Sequence, residues 1–222
     1  MSKNEQTETK AVKKGSFVEE NGKSLLFIAG AILLLGAIAL YYFASYLPNR
    51  AEKASAQMYK AEQYIGVDSL ANKAINGDGG YPGLAEIAEE YDNTKSANLA
   101  NLYLGGIYLR KGEYNKAIES LNKYSSTGSI VADPLALGLL GDAHSELKEY
   151  DKAASFYQKA ADKASNKFTS PMFLKKLGLV KEALKDYKGA VEAYQKIKNQ
   201  YADSQEAATI ETYIARAELQ VK

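Results

Sequence analysis

The chain has 222 residues, with 28 Lys and Arg against 27 Asp and Glu. This balance leaves no basic surplus that would attract nucleic acid. There is no cysteine and a single histidine, which excludes disulfides, thiolate metal sites, a cysteine nucleophile and a multi-histidine metal site within the chain. We therefore expect no metal and no cofactor.

The first 24 residues are rich in Lys, Glu, Ser and Thr, and only Val12, Phe17 and Val18 are larger apolar groups. Such a segment cannot bury enough apolar surface to offset the entropy lost on folding. The composition predicts a disordered tail over residues 1–24.

An uncharged segment of 23 residues, Leu25–Leu47, follows the tail. A helix of this length, at about 1.5 Å per residue, crosses the roughly 30 Å hydrocarbon core of a bilayer with some tilt. Tyr41, Tyr42 and Tyr46 lie at its carboxy-terminal end, where aromatic rings favour the headgroup level. The pattern predicts a transmembrane helix over 25–47 that embeds the chain in a membrane.

A cleaved signal peptide is the alternative for this segment. Its apolar core would run about 7–15 residues and end at a small-residue cleavage site. The uncharged segment is longer, and the nearest small-x-small pattern, Ala54-Ser55-Ala56, lies too far downstream. These features favour an uncleaved anchor.

The charges flanking the segment bear on its orientation. The amino side carries four lysines and the carboxy side carries three basic residues: Lys10, Lys13, Lys14 and Lys23, against Arg50, Lys53 and Lys60. Positive charge is retained on the cytoplasmic side. The small bias predicts a cytoplasmic amino terminus and a large domain on the other side.

Residues 48–97 are predicted to form a helical linker, Ala51–Ile65, followed by a degenerate helical hairpin. The two helices of that hairpin, Val67–Asn76 and Pro82–Tyr91, are joined by the glycine-rich run Asn76–Gly83. The run lacks the spacing of phosphate-binding glycine loops. It also has Ile87 where a calcium loop needs its twelfth-position Glu. We expect a simple helix connection, with no assigned role for its Asp78 and Tyr81.

The rest of the chain contains an internal repeat with periods of 36 and 37 residues. A Leu-Gly pair recurs, followed at fixed offsets by Tyr, Ala and a large residue. The recurring positions are Gly105, Gly141 and Gly178; Tyr114, Tyr150 and Tyr187; Ala117, Ala153 and Ala190; and Leu121, Tyr157 and Tyr194. The small residues are expected to let two helices approach closely while the large residue fills the space between them. The pattern predicts an all-α domain of three helical hairpins.

Two Xaa-Pro pairs set the predicted helix starts. Asp133-Pro134 and Ser170-Pro171 lie 37 residues apart, as the repeat requires. Asp and Ser are favoured N-caps and Pro is favoured at the first helical position. We therefore expect Asp133 and Ser170 to cap the first helices of the second and third hairpins.

These residues resemble the tetratricopeptide repeat family in three copies, residues 98–131, 134–167 and 171–204, with a capping helix over 205–222. The resemblance implies an α-solenoid. His144 and Lys181 replace the usual first-helix tyrosine, which Tyr108 retains. Tyr124 and Ile197 replace the last small residue, which Ala160 retains.

The resemblance also implies a concave groove, lined by the first helix of each hairpin, that binds a protein or peptide partner. Carried onto this sequence, the groove residues are Leu99, Leu102, Leu109 and Arg110; Leu135, Asp142, Ser145 and Glu146; and Met172, Lys175, Leu179 and Glu182. Replacing Leu102, Leu109 and Arg110 together by alanine is expected to abolish partner capture. His144 is expected to be a packing residue, because no nucleophile and acid accompany it in a catalytic pattern. We expect no enzymatic activity.

The whole layout resembles the ancillary subunit family of the bacterial Sec translocon, in its bacteroidete form. That resemblance implies a scaffold beside the translocon, anchored in the inner membrane, with the repeats in the periplasm. Two alternatives remain open: an assembly scaffold for cell division or outer-membrane assembly, and an organelle-surface import receptor with a cytosolic domain.

Overall fold

The computed structural model describes residues 17–221, and every regular element within that range is helical. The all-α prediction is confirmed. The chain divides after Asn49 into two compact units.

The first unit is helical from its first described residue. Helix α1 spans Phe17–Tyr41, a π-helical turn follows over Tyr42–Tyr46, and α2, Leu47–Ile65, begins directly after it. The π turn comes just before Pro48, which has no N–H to donate and whose ring crowds the carbonyl four residues earlier. A wider turn at that point accommodates the proline without ending the helix.

The predicted tail requires a correction. Residues 17–24 are helical in α1, whereas we expected them to be disordered. Once an apolar helix has formed, each added residue contributes a backbone hydrogen bond, so the helix extends into a polar flank. The rest of the predicted tail, residues 1–16, lies outside the described residues.

Among residues 17–221, one helical stretch, Asn21–Ile65, contains a window long and apolar enough to cross a membrane. That window is 0% buried within the protein. Phe27, for example, is 82% exposed, so the apolar surface of this helix is not used for intramolecular packing.

The second unit begins with the packing of α2 against a short hairpin. Ala54, Met58 and Ala61 on α2 are buried in the same apolar cluster as Leu84 and Ile87. The short elements are a 3₁₀ turn, Asp68–Leu70, helix α3, Ala71–Asn76, and helix α4, Leu84–Glu90. Helices α3 and α4 contact each other, and each is under two turns long.

Three longer hairpins follow, and a final helix packs on the last. The first pairs α5, Lys95–Arg110, with α6, Tyr114–Lys123; the second pairs α7, Ala132–Glu146, with α8, Tyr150–Ala164; the third pairs α9, Thr169–Ala183, with α10, Tyr187–Gln200; and α11 is Ala207–Glu218. The first helices α5, α7 and α9 contact one another in chain order. The hairpins stack sequentially.

The repeated glycines permit close approach within each hairpin. A Cβ atom at any of these positions would lie 2.2–2.6 Å from the large residue on the second helix, closer than real Cβ contacts come. The pairs are Gly105 with Leu121, Gly141 with Tyr157 and Gly178 with Tyr194. The predicted division into small and large packing positions is confirmed.

The hairpin turns share one backbone geometry. Gly112, Lys148 and Lys185 all have positive φ, at 73°, 59° and 61°. Each donates its N–H to the carbonyl three residues earlier, which satisfies a free carbonyl at the helix end. Lysine adopts this left-handed conformation at a cost that glycine does not incur.

The predicted N-caps at Asp133 and Ser170 are wrong. Helices α7 and α9 begin at Ala132 and Thr169, so both residues lie in the first helical turn instead of before it. The prolines still fit, because no N–H in the first turn of a helix has an acceptor within the helix. Ser170 instead donates its hydroxyl to the carbonyl of Ala161, at 2.8 Å.

The loop between the first and second hairpins is organised around the Asp133 carboxylate, whose side chain is 2% exposed. It accepts hydrogen bonds from the Tyr124 and Ser126 hydroxyls and from the backbone N–H groups of Thr127 and Gly128, at 2.5–2.9 Å. Burial by itself raises the pKa of Asp133, but these donors outweigh it and hold the pKa well below the ordinary value.

Candidate protein-binding groove

The first helices of the hairpins present one continuous face formed by α5, α7 and α9. Leu102 was predicted to lie on it, but the structure contradicts this. Leu102 is 4% exposed and packs in a buried cluster with Leu121, Ala136 and Leu140. The side chain points into the joint between the first two hairpins, so Leu102 belongs to the core.

Four other predicted residues line one notch on this face. Leu109 comes from α5, and Asp142, Ser145 and Glu146 come from α7. Together with three residues that the sequence did not assign to the groove, they line an open cavity of 310 Å³. The three additional residues are Tyr114, Tyr157 and Lys176.

Asp142 is held by partners from two other helices. Lys176 Nζ lies 2.6 Å and 2.8 Å from its two oxygens, so α9 is ion-paired to α7. The Tyr157 hydroxyl on α8 donates to the same carboxylate at 2.7 Å. Burial, and then the negative charge of Asp142, raise the pKa of Tyr157, so its hydroxyl stays protonated as a donor.

The same arrangement recurs one repeat later around Glu182. The Tyr194 hydroxyl and Arg216 Nη2 both donate to its Oε1 atom, at 2.6 Å and 2.7 Å. In both clusters the cation follows the carboxylate by 34 residues. Burial and the bond to Glu182 raise the pKa of Tyr194. The tyrosines in the large packing position therefore connect the hairpin core to the charged groove.

The remaining charges of this face differ in how they are satisfied. Arg110 donates to the Ile65 carbonyl at 2.8 Å and lies 3.4 Å from the Asp68 carboxylate. Glu146 accepts a hydrogen bond from the Tyr114 hydroxyl at 3.2 Å. No ion pair within residues 17–221 involves Glu146.

The other predicted groove residues lie along the same helices outside the notch. Leu99, Leu135 and Met172 are half-buried. Leu179 is 41% exposed, and Lys175 places its ammonium group 4.6 Å from the centre of the Tyr213 ring. These residues are not brought into one pocket with Leu109.

His144 is a packing residue in the structure. Its ring lies parallel to that of Phe156, with the centroids 5.2 Å apart, and its Nδ1 atom lies 2.5 Å from a Glu149 oxygen. The bond to His144, followed by the one to Lys152, lowers the pKa of Glu149. Within residues 17–221, no group of three side chains is arranged to hold a metal ion.

The glycine-rich run joins α3 to α4, as the sequence predicted. Asp78 accepts hydrogen bonds from the N–H groups of Gly80 and Tyr81 at 3.0 Å and 2.9 Å, and from the Tyr64 hydroxyl at 2.7 Å. A Cβ atom on Gly83 would lie 2.1 Å from the Ile75 carbonyl oxygen, so only glycine fits there. The carboxylate closes the turn, which is the structural role that sequence reasoning missed.

Comparison with known families agrees with this architecture. Models described as tetratricopeptide repeat match residues 97–126, 136–168 and 176–204. The chain carries three tetratricopeptide repeats. The matched residues correspond to the three hairpins, and they include the notch residues Leu109, Asp142 and Lys176. No curated protein matches the chain.

In this tetratricopeptide repeat domain, the face formed by α5, α7 and α9 is the one on which the sequence predicted the groove. The domain therefore supports a scaffold role in protein–protein interaction. The two tyrosine–carboxylate–cation clusters distinguish this groove from a simple apolar one.

Proposed function

We propose that the chain is a membrane-anchored, non-catalytic scaffold that holds a segment of a protein partner in the groove of its repeats. The observation that carries the proposal is the notch on the inner helices. It combines an apolar wall at Leu109 with carboxylates from α7 and a tyrosine from each of the first two hairpins. Such a mixture suits an extended peptide or a helix face.

The charge pattern of the groove favours internal recognition over capture of a chain terminus. Binding a terminal carboxylate requires a cluster of available Lys and Arg. Here Lys176 and Arg216 are each engaged by a carboxylate of the domain, Asp142 and Glu182. A partner is therefore recognised along its length, through apolar contacts and hydrogen bonds.

The anchor is proposed from the exposed apolar helix near the amino terminus. No residue of this apolar window is buried within the protein, so packing inside the protein does not remove its surface from water. Insertion into a bilayer would remove it, which is energetically favourable for apolar surface. Signal sequences share this position and composition. An anchored chain is expected to sediment with membranes after alkaline carbonate extraction. Mass spectrometry of the mature chain is then expected to find residues 25–47.

The proposed location is the bacterial inner membrane, with the amino terminus in the cytoplasm and the repeats in the periplasm. The support is the four-to-three lysine and arginine bias across the segment. An alkaline phosphatase fused to the carboxy terminus is then expected to be active. A fluorescent protein fused there is expected to be dark, because it would be exported unfolded. The opposite pair of results would favour the organelle-surface receptor with a cytosolic domain.

The layout further supports a role ancillary to protein translocation. Affinity purification of the full chain in mild detergent is then expected to recover subunits of the translocation channel. Recovery of cell-division or outer-membrane assembly proteins instead would support the alternative envelope scaffold.

The groove itself is tested by a double variant, Leu109→Ala with Leu179→Ala. Both side chains lie on first helices and neither is in the buried core, so the fold is expected to remain while partner recovery falls at least about tenfold. The matched control is Glu119→Ala with Glu192→Ala, on second helices. Equal recovery by both double variants would refute groove binding.

A further inference from the structure

We infer that the groove selects a segment carrying a lysine or arginine side chain, which enters the notch beside Glu146. This inference rests on the proposed function, because it names the chemistry of the partner at the same site. It is based on the ion pairs that the domain already forms on the inner face of the repeats.

The cations around this face are largely occupied by carboxylates of the domain itself. Each pair lies within 3.4 Å, and the pairs are Arg110 with Asp68, Lys176 with Asp142, Lys181 with Asp186 and Arg216 with Glu182. An acidic side chain of a partner would have to displace one of these carboxylates or bind next to it. The existing pairs therefore disfavour an acidic segment at the notch.

The notch itself holds a surplus of negative charge. Asp142 and Glu146 line it together with a single cation, Lys176, which is committed to Asp142. Glu146 is exposed and its contact within the described chain is the hydroxyl of Tyr114. Its carboxylate is thus available to a cation that arrives with a partner.

The shape of the notch suits a long basic side chain. Its volume of 310 Å³ is enough for one side chain, and Leu109 forms an apolar wall next to the carboxylates. Lysine and arginine both carry an apolar stem and a charged tip, so the stem would contact Leu109 while the tip reaches Glu146. A neutral apolar side chain would leave Glu146 without a charge partner.

The far end of the groove has the opposite charge character. Lys175 lies over the Tyr213 ring, and no ion pair in the described part of the chain includes it. The control residue is Glu192 on the second helix α10, because its replacement removes an exposed negative charge at a distance from the notch.

The test uses the full chain in mild detergent and three fluorescent nine-residue peptides with blocked ends. They share one leucine- and serine-containing host sequence and differ only in a central Lys, Gln or Glu. Fluorescence anisotropy is expected to show the Lys peptide binding about tenfold more tightly than the Glu peptide, as for a partly exposed charge pair. The ratio should fall to about twofold in Glu146→Gln and stay unchanged in Glu192→Gln.

Equal binding of the three peptides would overturn the charge selection and leave the groove proposal standing. A Lys preference that persists undiminished in Glu146→Gln would overturn the role of Glu146 and would also leave the groove proposal standing. Failure of all three peptides to bind would count against both the groove and its selectivity. Higher salt is expected to reduce the ratio, because an exposed charge pair is screened.

Discussion

The joint between the first and second hairpins is built differently from the joint between the second and third. At the first joint the buried apolar cluster has four members: Leu102, Leu121, Ala136 and Leu140. At the second joint a single cluster runs without interruption through α8, α9, α10 and α11, and it includes the fully buried Phe173 and Tyr194. The same repeat template has produced two unlike joints: the first is called the polar joint, and the second is called the apolar joint.

The difference is visible at one position of the repeat. Ala160 on α8 is fully buried and the helix continues past it, whereas Tyr124 at the equivalent position of the first repeat lies just beyond the end of α6. A tyrosine is too large for the space that alanine occupies between helices. The chain leaves the helix there, and the tyrosine hydroxyl bonds to Asp133 at 2.8 Å. A partly buried polar network, centred on the buried Asp133 carboxylate, thus replaces part of the apolar core.

The largest expected effect is at the apolar joint. A Cβ atom on Gly138 would lie 1.9 Å from the ring of Phe173, which is 1% exposed and has no room to move. We expect Gly138→Ala to lower the free energy of unfolding by about 3 kcal/mol, the upper range for overpacking in a core. Urea denaturation monitored by circular dichroism measures it.

A matched glycine at the polar joint should behave in the opposite way. A Cβ atom on Gly106 would have Leu139 as its nearest apolar neighbour, at 3.9 Å. Alanine there removes the backbone entropy of glycine within a helix, so Gly106→Ala is expected to raise stability by about 0.5–1 kcal/mol. Equal destabilisation by the two variants would show that the joints are packed alike.

The next effect is at the polar joint itself. Asp133→Asn replaces a buried carboxylate that accepts five hydrogen bonds by a group that accepts with one oxygen, so the donors to the other oxygen lose their acceptor. We expect a loss of about 2 kcal/mol. The control is Asp151→Asn, an exposed carboxylate on α8, which should change stability by less than about 0.5 kcal/mol.

The pH dependence of this loss follows from the lowered pKa of Asp133. A carboxylate whose pKa is lower in the folded state gives its full stabilisation above its unfolded pKa, about 3.9. The difference between wild type and Asp133→Asn should therefore be constant from pH 8 to pH 5. It should shrink as the pH falls below about 4. A difference that instead vanished between pH 8 and pH 6 would contradict the assignment.

Hydrogen exchange compares the two joints without any substitution. Helix α6 has 10 residues and ends at the polar loop, whereas α10 has 14 and is enclosed by α9 and α11. Backbone amides of α6 are expected to exchange at least about tenfold faster than those of α10, because regions with fewer buried apolar contacts open more readily. Equal protection would mean that the polar network stabilises its joint as well as the apolar core does.

The smallest effect concerns the turns, where the hairpins differ in one residue. Lys148 and Lys185 adopt the left-handed conformation that Gly112 adopts in the first hairpin. Lys148→Gly and Lys185→Gly are each expected to raise the free energy of unfolding by about 0.5–1 kcal/mol, while Gly112→Ala lowers it by a similar amount. Thermal denaturation should show these changes as higher and lower melting temperatures. Lys152→Gly, within helix α8, is the control and should destabilise.

Sequence reasoning was most successful where one residue type has one physical role. The glycine and large-residue pairs followed from the repeat alone, because helix approach needs a small residue on one side and a large one on the other. It was wrong at Asp133, Ser170 and Leu102. At those positions the outcome depends on where a helix begins and how it is rotated, and a shift of one residue moves a side chain to another face.

The groove was predictable in outline and not in chemistry. Leu109, Asp142, Ser145 and Glu146 were expected on one face, and the structure brings them together. The pairing of Asp142 with Lys176 joins residues 34 positions apart, which only the stacking of α7 on α9 reveals. Whether a charge is free or paired therefore could not be deduced from its type.

The central claim is that partners bind the face formed by the first helices. Photo-crosslinking in living cells tests it most directly, with benzoyl-phenylalanine at Leu109 or Leu179 on that face, and at Glu119 or Glu192 on the second helices. Groove binding predicts covalent adducts to the same partner from Leu109 and Leu179 and none from the other two positions. Adducts that arise equally from all four positions, or only from Glu119 and Glu192, would contradict it.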